Sequence, residues 1–232
     1  MDNGKSCSIL AGLRSNRTSP CATTAFDSAH LSEMLRDLLP PALRDRYDAN
    51  RSLKRVVDGV SVWFLNQRPD IDDAQLESRL GDALALIGKH MPHNLRRLRR
   101  DVHAIWVKRW PNRGVFFHDT RIMVIDTTFV VNPTFTLAQV AATILHEGVH
   151  ARITAMRVNR RYTNMADEER LCRRAEIAFG ELAPGGAPVV ARAREILGLS
   201  DEEVAPGIDL AVAEQKLRDL RRTEGGSGPR AS

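Results

Sequence analysis

Hydrophobic residues recur at intervals of three and four along most of the chain, and this spacing predicts helices. Residues spaced in this way lie on one face of a helix, where they pack against a core while the other positions meet water. The pattern predicts helices over residues 29–39, 53–66, 73–87, 93–107, 137–156, 167–179, 189–197 and 201–222, the last interrupted at Pro206-Gly207. A chain of this kind is predominantly helical.

A run rich in β-branched residues at 121–131 departs from the helical pattern and predicts a strand. Asn132 and Pro133 follow it as a turn, shortly before the helix at 137–156. Residues 115–117, Val-Phe-Phe, are its predicted hairpin partner. We therefore predict an α+β fold, predominantly helical, with a small β-hairpin or sheet beside helix 137–156.

Length and composition predict one main domain. The 232 residues are 43% hydrophobic, as in an ordinary soluble globular protein. Residues 29–222 are predicted to form this domain, between a polar segment at 1–28 predicted to be disordered and a flexible tail at 223–232. No apolar run reaches the about 18 residues that cross a membrane, residues 8–13 are too short for an export signal, and three cysteines make no complete disulfide framework. These features predict a cytoplasmic protein.

The most informative segment is His146-Glu147-Gly148-Val149-His150. Residues i and i+4 lie on one face of a helix, so the two imidazoles can converge on one metal ion. The glutamate is offset by about 100° per residue, so its carboxylate can reach a water on that metal without being a ligand. This HExxH spacing is typical of zinc hydrolases and predicts Zn2+ as the cofactor.

The residues around the motif favour its placement inside a buried helix. Thr136 and Gln139 match a capping box at the start of the helix, and apolar neighbours such as Ile144 and Leu145 indicate burial. Buried polar groups without partners cost several kcal/mol, so a metal ion is the simplest partner for the histidines. Gly148 lies inside this predicted helix, where glycine is less favourable than alanine by about 1 kcal/mol of helix stability. We therefore expect it to allow close approach of a neighbouring strand or of substrate.

A catalytic zinc ion usually has three protein ligands and one open position. No histidine follows His150, so an acidic residue of the helix at 167–179 is the predicted third ligand. Glu169 is our choice because it shares a helix face with Cys172, a residue type that is usually buried, and with Glu176. Glu168 lies near the same face and stays an alternative. Glu176 is predicted either to bind the metal or to accept a hydrogen bond from a ligating histidine. Acidic residues are also favoured at helix starts for electrostatic reasons alone.

A strand followed by a turn and an HExxH helix resembles the zincins, in which a strand beside the active helix borders the cleft and pairs with an extended substrate. A glutamate as third ligand makes the resemblance gluzincin-like. Over about residues 94–186 the chain also resembles an uncharacterised bacterial family of HExxH metallopeptidases. The matching elements are His-Glu-x-x-His-Ala-Arg at 146–152, Tyr162, Glu-Arg-x-Cys-x-x-x-Glu-x-x-Phe at 169–179 and the turn Pro184-Gly185-Gly186. This resemblance implies the metal site and no particular substrate.

These residues together predict a zinc metallopeptidase. Zinc held by the two motif histidines and Glu169 would polarise a water and lower its pKa towards about 7. Glu147 would act as general base and then deliver the proton to the leaving group. Tyr162 and His118 are the candidates for stabilising the developing oxyanion. The expected partner is a peptide or protein substrate, because a strand beside the motif helix suits an extended backbone.

A second hypothesis is a non-catalytic nucleic-acid or regulatory binding protein in which HExxH is a structural or degenerate metal site. The chain has a formal net charge of +5, and its basic residues concentrate at Arg96, Arg97, Arg99, Arg100, Lys108, Arg109 and Arg113. Leu95, Leu98 and Val102 repeat at helical spacing among them, which favours an ordinary solvated helix face. An open metal site beside a groove would favour the enzyme, and a closed site with four protein ligands would favour this alternative.

Overall fold

The computed structural model describes residue 36 and residues 39–156, 164–205, 207 and 210–225. The chain forms two compact units, Met1–Arg44 and Asp45–Ser232. In the described part of the first unit, the backbone N–H of Arg44 donates to the carbonyl of Pro40 across 2.9 Å, which closes the first turn of a helix. Apart from the first four residues of the helix Pro41–Arg51, all other features below belong to the second unit. The predicted helix at 29–39 and the predicted disordered segment and tail lie wholly or mostly outside the described residues.

The structure is α+β, 61% helical, with one small mixed sheet, which confirms the predicted fold class at that level. Its elements follow in the order α1 (Pro41–Arg51), β1 (Leu53–Val57), β2 (Val60–Phe64), α2 (Asp73–His90), α3 (Pro92–Asp101), β3 (Ala104–Lys108), β4 (Gly114–Phe117), β5 (Ile122–Asp126), α4 (Thr127–Val131), α5 (Leu137–Ala155), α6 (Met165–Gly180), α7 (Ala187–Leu197), α8 (Asp201–Val204) and α9 (Leu210–Gly225).

The five strands form one sheet in the order β1-β2-β3-β5-β4. The two inner pairings, β2 with β3 and β3 with β5, are parallel, while β1 and β4 are edge strands paired antiparallel to their neighbours. Side chains of β3 alternate between two cores. Ile105 and Val107 belong to the larger cluster with residues of α2, α3 and α5, whereas Trp106 belongs to a smaller cluster with Trp110 and Val124.

The helix predicted at 53–66 is wrong, because this segment forms the β1–β2 hairpin. Asp58 and Gly59 connect the strands with φ values of 48° and 72°. Two successive residues with positive φ match the right-handed twist of a hairpin, and an Asp-Gly pair is well suited to them. The strands pair in register from Val57 opposite Val60 to Leu53 opposite Phe64.

Two other predicted elements are correct only in their first halves. The helix predicted at 93–107 ends at Asp101 and is followed by β3, a central strand with every residue buried. The strand predicted at 121–131 ends at Asp126, whose side chain accepts a hydrogen bond from the Phe129 N–H across 2.9 Å and begins α4. The predicted hairpin between this strand and residues 115–117 is confirmed, with Val115 opposite Val124.

The remaining helix predictions agree with the structure. Those at 73–87, 137–156, 167–179 and 189–197 are α2, α5, α6 and α7, and the one at 201–222 is divided into α8 and α9 near its predicted interruption. Among the residues that the structure describes, no helix combines the length and apolar character needed to cross a membrane.

Candidate metal centre

Helix α5 carries the HExxH motif in its third and fourth turns. The predicted capping box begins it: Gln139 N–H donates to Thr136 Oγ1 across 3.2 Å, and Thr136 N–H donates to Gln139 Oε1 across 2.8 Å. The helix then continues to Ala155, so the motif has regular helical geometry. His146 and Glu147 are both buried, at 7% exposure each.

Gly148 is explained by a neighbouring helix and not by the strand or substrate that the sequence suggested. A Cβ at this position would lie 2.6 Å from Leu98 Cδ2 on α3. A strand does approach α5, but it does so at Gly114 of β4. A Cβ at Gly114 would lie 3.0 Å from Thr143 Cγ2 and 3.2 Å from Glu147 Oε1. Edge strand β4 therefore borders the motif helix beside the predicted general base.

The two motif imidazoles meet at one carboxylate of α6. His146 Nε2 lies 3.3 Å from Glu169 Oε2, and His150 Nε2 lies 3.2 Å from Glu169 Oε1. Two ligands bound to a tetrahedral zinc ion at about 2.0–2.1 Å are separated by about 3.4 Å. Each of these two His–Glu separations is therefore close to the distance between two ligands of one zinc ion. Glu169 as the third ligand stays a prediction, since these contacts are also those of histidine–carboxylate pairs in the absence of a metal ion.

Glu176 lies on the other side of the first imidazole. His146 Nδ1 donates to Glu176 Oε1 across 2.9 Å, and Arg173 Nη1 donates to the same oxygen across 2.8 Å. Of the two roles predicted for Glu176, the structure shows the contact of the second, in which it orients a histidine through the nitrogen that faces away from Glu169. Arg173 Nη2 also lies 3.7 Å from Glu169 Oε2, so one guanidinium neighbours both carboxylates.

Glu168, the alternative third ligand, faces the corresponding nitrogen of the second imidazole. Its Oε2 lies 3.7 Å from His150 Nδ1, which is beyond hydrogen-bonding distance. Within the described part of the chain, His150 Nδ1 is buried and has no hydrogen-bond partner. Glu168 is therefore placed beside the histidine and away from the point where both Nε2 atoms meet.

Cys172, a residue type that is usually buried, also approaches the candidate metal centre. It is fully buried, and its Sγ lies 3.5 Å from His150 Nε2. The donor atoms of His146, His150 and Cys172 all lie within 4.8 Å of one another, so among the described residues these three form the group that could hold a metal ion. Burial raises the pKa of the Cys172 thiol well above its usual value, so the thiol is protonated when no metal is present.

Without a metal ion, protonated histidine is the partner of these acids. Burial disfavours the imidazolium of His146, but hydrogen bonds to Glu169 and Glu176 outweigh it and raise the pKa of His146 to about 10. Burial also opposes ionisation of Glu169 and Glu176, yet their bonds to the histidines lower the pKa of both carboxyls. Glu147 differs, because burial dominates and raises its pKa.

The centre opens into a cavity of about 970 Å³ whose wall includes β4, α5, α6 and α7. His146, Glu147, His150 and Glu169 all line it, while Cys172 does not. Two histidines and the predicted general base of the candidate site therefore border the cavity.

Of the two predicted oxyanion donors, His118 lies within the described residues and Tyr162 does not. His118 follows β4 and lines the cavity, with its ring centroid 6.2 Å from that of His150 and its Nδ1 2.7 Å from Thr154 Oγ1. Tyr162 lies outside the described residues, so its role stays a prediction.

The basic residues of 96–113 do not share one environment. The four arginines of α3 are exposed, as expected for a solvated helix face. Lys108 and Arg109 are buried, and they pair with Asp45 at 3.1 Å and Asp126 at 3.0 Å. Arg109 and Arg113 both line the cavity beside the candidate metal centre, a placement that the sequence did not indicate.

No protein-family model, curated protein or solved structure matches this chain. The resemblance to zincins and to an HExxH metallopeptidase family therefore stays a prediction, and any function has to be inferred from the site itself.

Proposed function

We propose that this protein is a zinc-dependent metallohydrolase, more specifically a metallopeptidase, in which Glu147 is the general base. One observation carries the proposal. The Nε2 atoms of two histidines one helical turn apart both meet the carboxylate of Glu169, at 3.2 and 3.3 Å, at the edge of a cavity. Two imidazoles and a carboxylate with an open fourth direction are the ligand set of glutamate-ligated zinc hydrolases.

The donors fit zinc in their chemistry as well as in their spacing. His146, His150 and Glu169 would hold the ion, and Glu176 would orient His146 through Nδ1. An ion bound there supplies a Lewis acid that activates water and polarises a carbonyl. The alternative partner for these groups is a proton on His146, which explains how the buried charges are balanced in the metal-free chain.

Glu147 has the position and environment of a general base. Its Oε1 lies 3.2 Å from the Cβ position of Gly114 in β4, and it lines the cavity. Burial raises its pKa, which makes its carboxylate a better proton acceptor than an exposed glutamate. We infer that Glu147 takes a proton from the attacking water at one carboxylate oxygen and passes it to the leaving group.

Strand β4 favours a peptide as substrate. It pairs with β5 along one edge, and within the described sheet it has no strand on its other side. A strand edge without a partner strand beside the base could offer backbone N–H and C=O groups to an extended peptide. This placement supports the proposal of a zincin-like arrangement, in which His118, which follows β4, would serve as oxyanion donor.

The test compares wild type with Glu147→Gln and Glu169→Ala, each purified without chelators. Bound zinc is measured by elemental analysis, and hydrolysis by mass spectrometry of a mixed peptide library. We expect Glu147→Gln to keep zinc and lose hydrolysis, and Glu169→Ala to hold zinc weakly. Glu181→Gln is the matched control, because Glu181 follows the same helix but is exposed and bound to Arg194. A wild-type protein that holds no zinc and gains no thermal stability from it would overturn the proposal.

A second function is favoured by one contact, the 3.5 Å between Cys172 Sγ and His150 Nε2. Ligands of zinc through sulfur and nitrogen are separated by about 3.6 Å, so Cys172 could complete a closed structural site in a non-catalytic regulatory protein. X-ray absorption of the same wild-type sample separates the two functions. Only nitrogen and oxygen neighbours at about 2.0–2.1 Å support the hydrolase, and a sulfur neighbour at about 2.3 Å supports the closed site.

A further inference from the structure

The cavity beside the metal centre contains cations that its acids do not neutralise. Arg109 is paired with Asp126 at 3.0 Å, and Arg173 with Glu176 at 2.8 Å. Arg113 and Arg192 also line the cavity, from the start of β4 and from α7, but neither guanidinium has a hydrogen bond or ion pair with any described residue.

Arg113 is held in place by contacts that leave its hydrogen-bonding groups available. Its carbonyl accepts a hydrogen bond from Asp126 N–H across 3.1 Å, which extends the β4–β5 ladder by one residue. Its guanidinium lies over the ring of Phe135 at 4.6 Å and over that of Phe129 at 5.4 Å. A guanidinium stacked on an aromatic face keeps its N–H groups at its free edges, where they can bind a carboxylate with two parallel hydrogen bonds.

The surroundings of Arg113 favour an anion. Burial lowers the pKa of its guanidinium, and the positive charges of Arg192 and Arg173 lower it further, with only Glu176 acting in the opposite direction. Like charges gathered in a partly desolvated cleft repel one another, and a bound anion removes that repulsion. The Arg192 side chain is exposed, so it is free to turn towards such an anion.

The backbone of Arg113 lies close to the predicted general base. Arg113 directly precedes Gly114, whose Cβ position is 3.2 Å from Glu147 Oε1. Since consecutive Cα atoms are about 3.8 Å apart, the Arg113 backbone lies within about 9 Å of the base. We therefore expect an anion bound by Arg113 to belong to a residue within a few positions of the cleaved bond.

We propose that Arg113 and Arg192 form a subsite for a carboxylate of the peptide substrate, next to the metal centre. This inference rests on the proposed peptidase function and adds the substrate class. The carboxylate has two possible sources in a peptide, the free C-terminus or an Asp or Glu side chain. Both offer the same planar pair of oxygens to a guanidinium.

Three synthetic peptides distinguish these sources. The first is an acetylated, C-terminally amidated alanine peptide without charge, the second is the same peptide with a free C-terminus, and the third is amidated and carries one aspartate. Binding to zinc-loaded Glu147→Gln is measured by calorimetry, so that no peptide is consumed. We expect one of the two carboxylate peptides to bind at least about tenfold tighter than the uncharged one, with the preference weakened by salt.

Arginine variants then test the subsite. In Arg113→Gln/Arg192→Gln the preference for the carboxylate peptide over the uncharged peptide falls at least about tenfold, and Arg192→Gln alone, at an exposed position, shows part of that fall. Arg174→Gln is the matched control, because Arg174 is exposed on α6 next to Arg173 but does not line the cavity. It is expected to keep the full preference.

The outcomes separate this inference from the proposed function. Zinc binding and cleavage of uncharged peptides without any carboxylate preference would refute the subsite and leave the hydrolase intact. A preference that survives in the double variant, or falls equally in Arg174→Gln, would also refute it. If the wild type binds no zinc, the same calorimetry on the protein as purified still decides whether Arg113 and Arg192 bind a carboxylate.

Discussion

Glu169 and Glu176 are predicted to contribute very differently to zinc affinity, although both touch His146. Glu169 faces both Nε2 atoms, whereas Glu176 accepts a hydrogen bond from Nδ1 across 2.9 Å and is buried at 7% exposure. Glu169→Ala removes a ligand. Glu176→Gln keeps an oxygen that can accept from Nδ1 but removes its negative charge.

The two magnitudes follow from these contacts. Structural zinc sites bind with about 12 kcal/mol over four ligands, so one ligand is worth about 3 kcal/mol, or more than a hundredfold in affinity. A hydrogen bond to a charged group stabilises a structure by about 1–1.5 kcal/mol more than a hydrogen bond between neutral groups. Glu176→Gln is therefore expected to cost about tenfold, and up to about a hundredfold because Arg173 Nη1, 2.8 Å away, also loses its ionic partner.

The assay is a competition for zinc with a chromophoric chelator at constant pH, applied to wild type, Glu169→Ala, Glu176→Gln and the exposed control Glu181→Gln. Thermal melts without zinc confirm that each variant is folded. The control is expected to match wild type. If Glu176→Gln lost as much affinity as Glu169→Ala, or if Glu169→Ala retained wild-type affinity, the assignment of the two glutamates would have to be reversed or abandoned.

Two further predictions concern stability. Gly148→Ala is expected to lower the free energy of unfolding by about 1 kcal/mol in urea titrations, because overpacking against Leu98, 2.6 Å from the new Cβ, costs about 1–3 kcal/mol while the higher helix propensity of alanine recovers about 1 kcal/mol. In a Leu98→Ala background the same substitution should stabilise the protein, and equal effects in both backgrounds would contradict the clash. In chelator-treated protein, the raised pKa of His146 contributes stability that is present below its ordinary value of 6.5 and lost towards about 10. The lowered pKa of Glu169 contributes stability that is present above its ordinary 4.5 and lost in acid. The melting temperature should thus be highest at pH 4.5–6.5, and a continued rise towards pH 10 would disprove this balance.

The first misassigned segment carried a local signal that could have identified it. Val57, Val60 and Phe64 recur at intervals of three and four, which matches a helix, but in a hairpin Val57 pairs with Val60, and Val60 and Phe64 lie on one face of the second strand. Asp58 and Gly59 separate the two halves, and an Asp-Gly pair between apolar runs is a strong hairpin signal. Periodicity alone could not choose between the two structures, while the turn chemistry could.

The second misassigned segment lacked such a signal. In residues 93–107, Leu98, Val102 and Ile105 continue the helical spacing across the true end of α3. Strand β3 pairs in parallel with β2 and β5, so both of its faces are buried and its sequence shows no alternation. A central parallel strand is defined by partners distant in the chain, and a short apolar run cannot be distinguished from buried helix without them.

The same reasoning explains which parts of the site were accessible to prediction. The metal donors come from two helices, and helical periodicity converts spacing into a shared face, so His146 with His150 and Glu169 with Glu176 could be grouped from sequence. Arg113 and Arg192 are about 80 residues apart, and only the packing of β4 against α5, and of α6 and α7 beside it, brings them to one cavity. The metal chemistry therefore depends on locally encoded positions, whereas the substrate class depends on long-range contacts. Substitution at an exposed position of α7 could consequently alter the preferred substrate while the metal site and the fold stay unchanged.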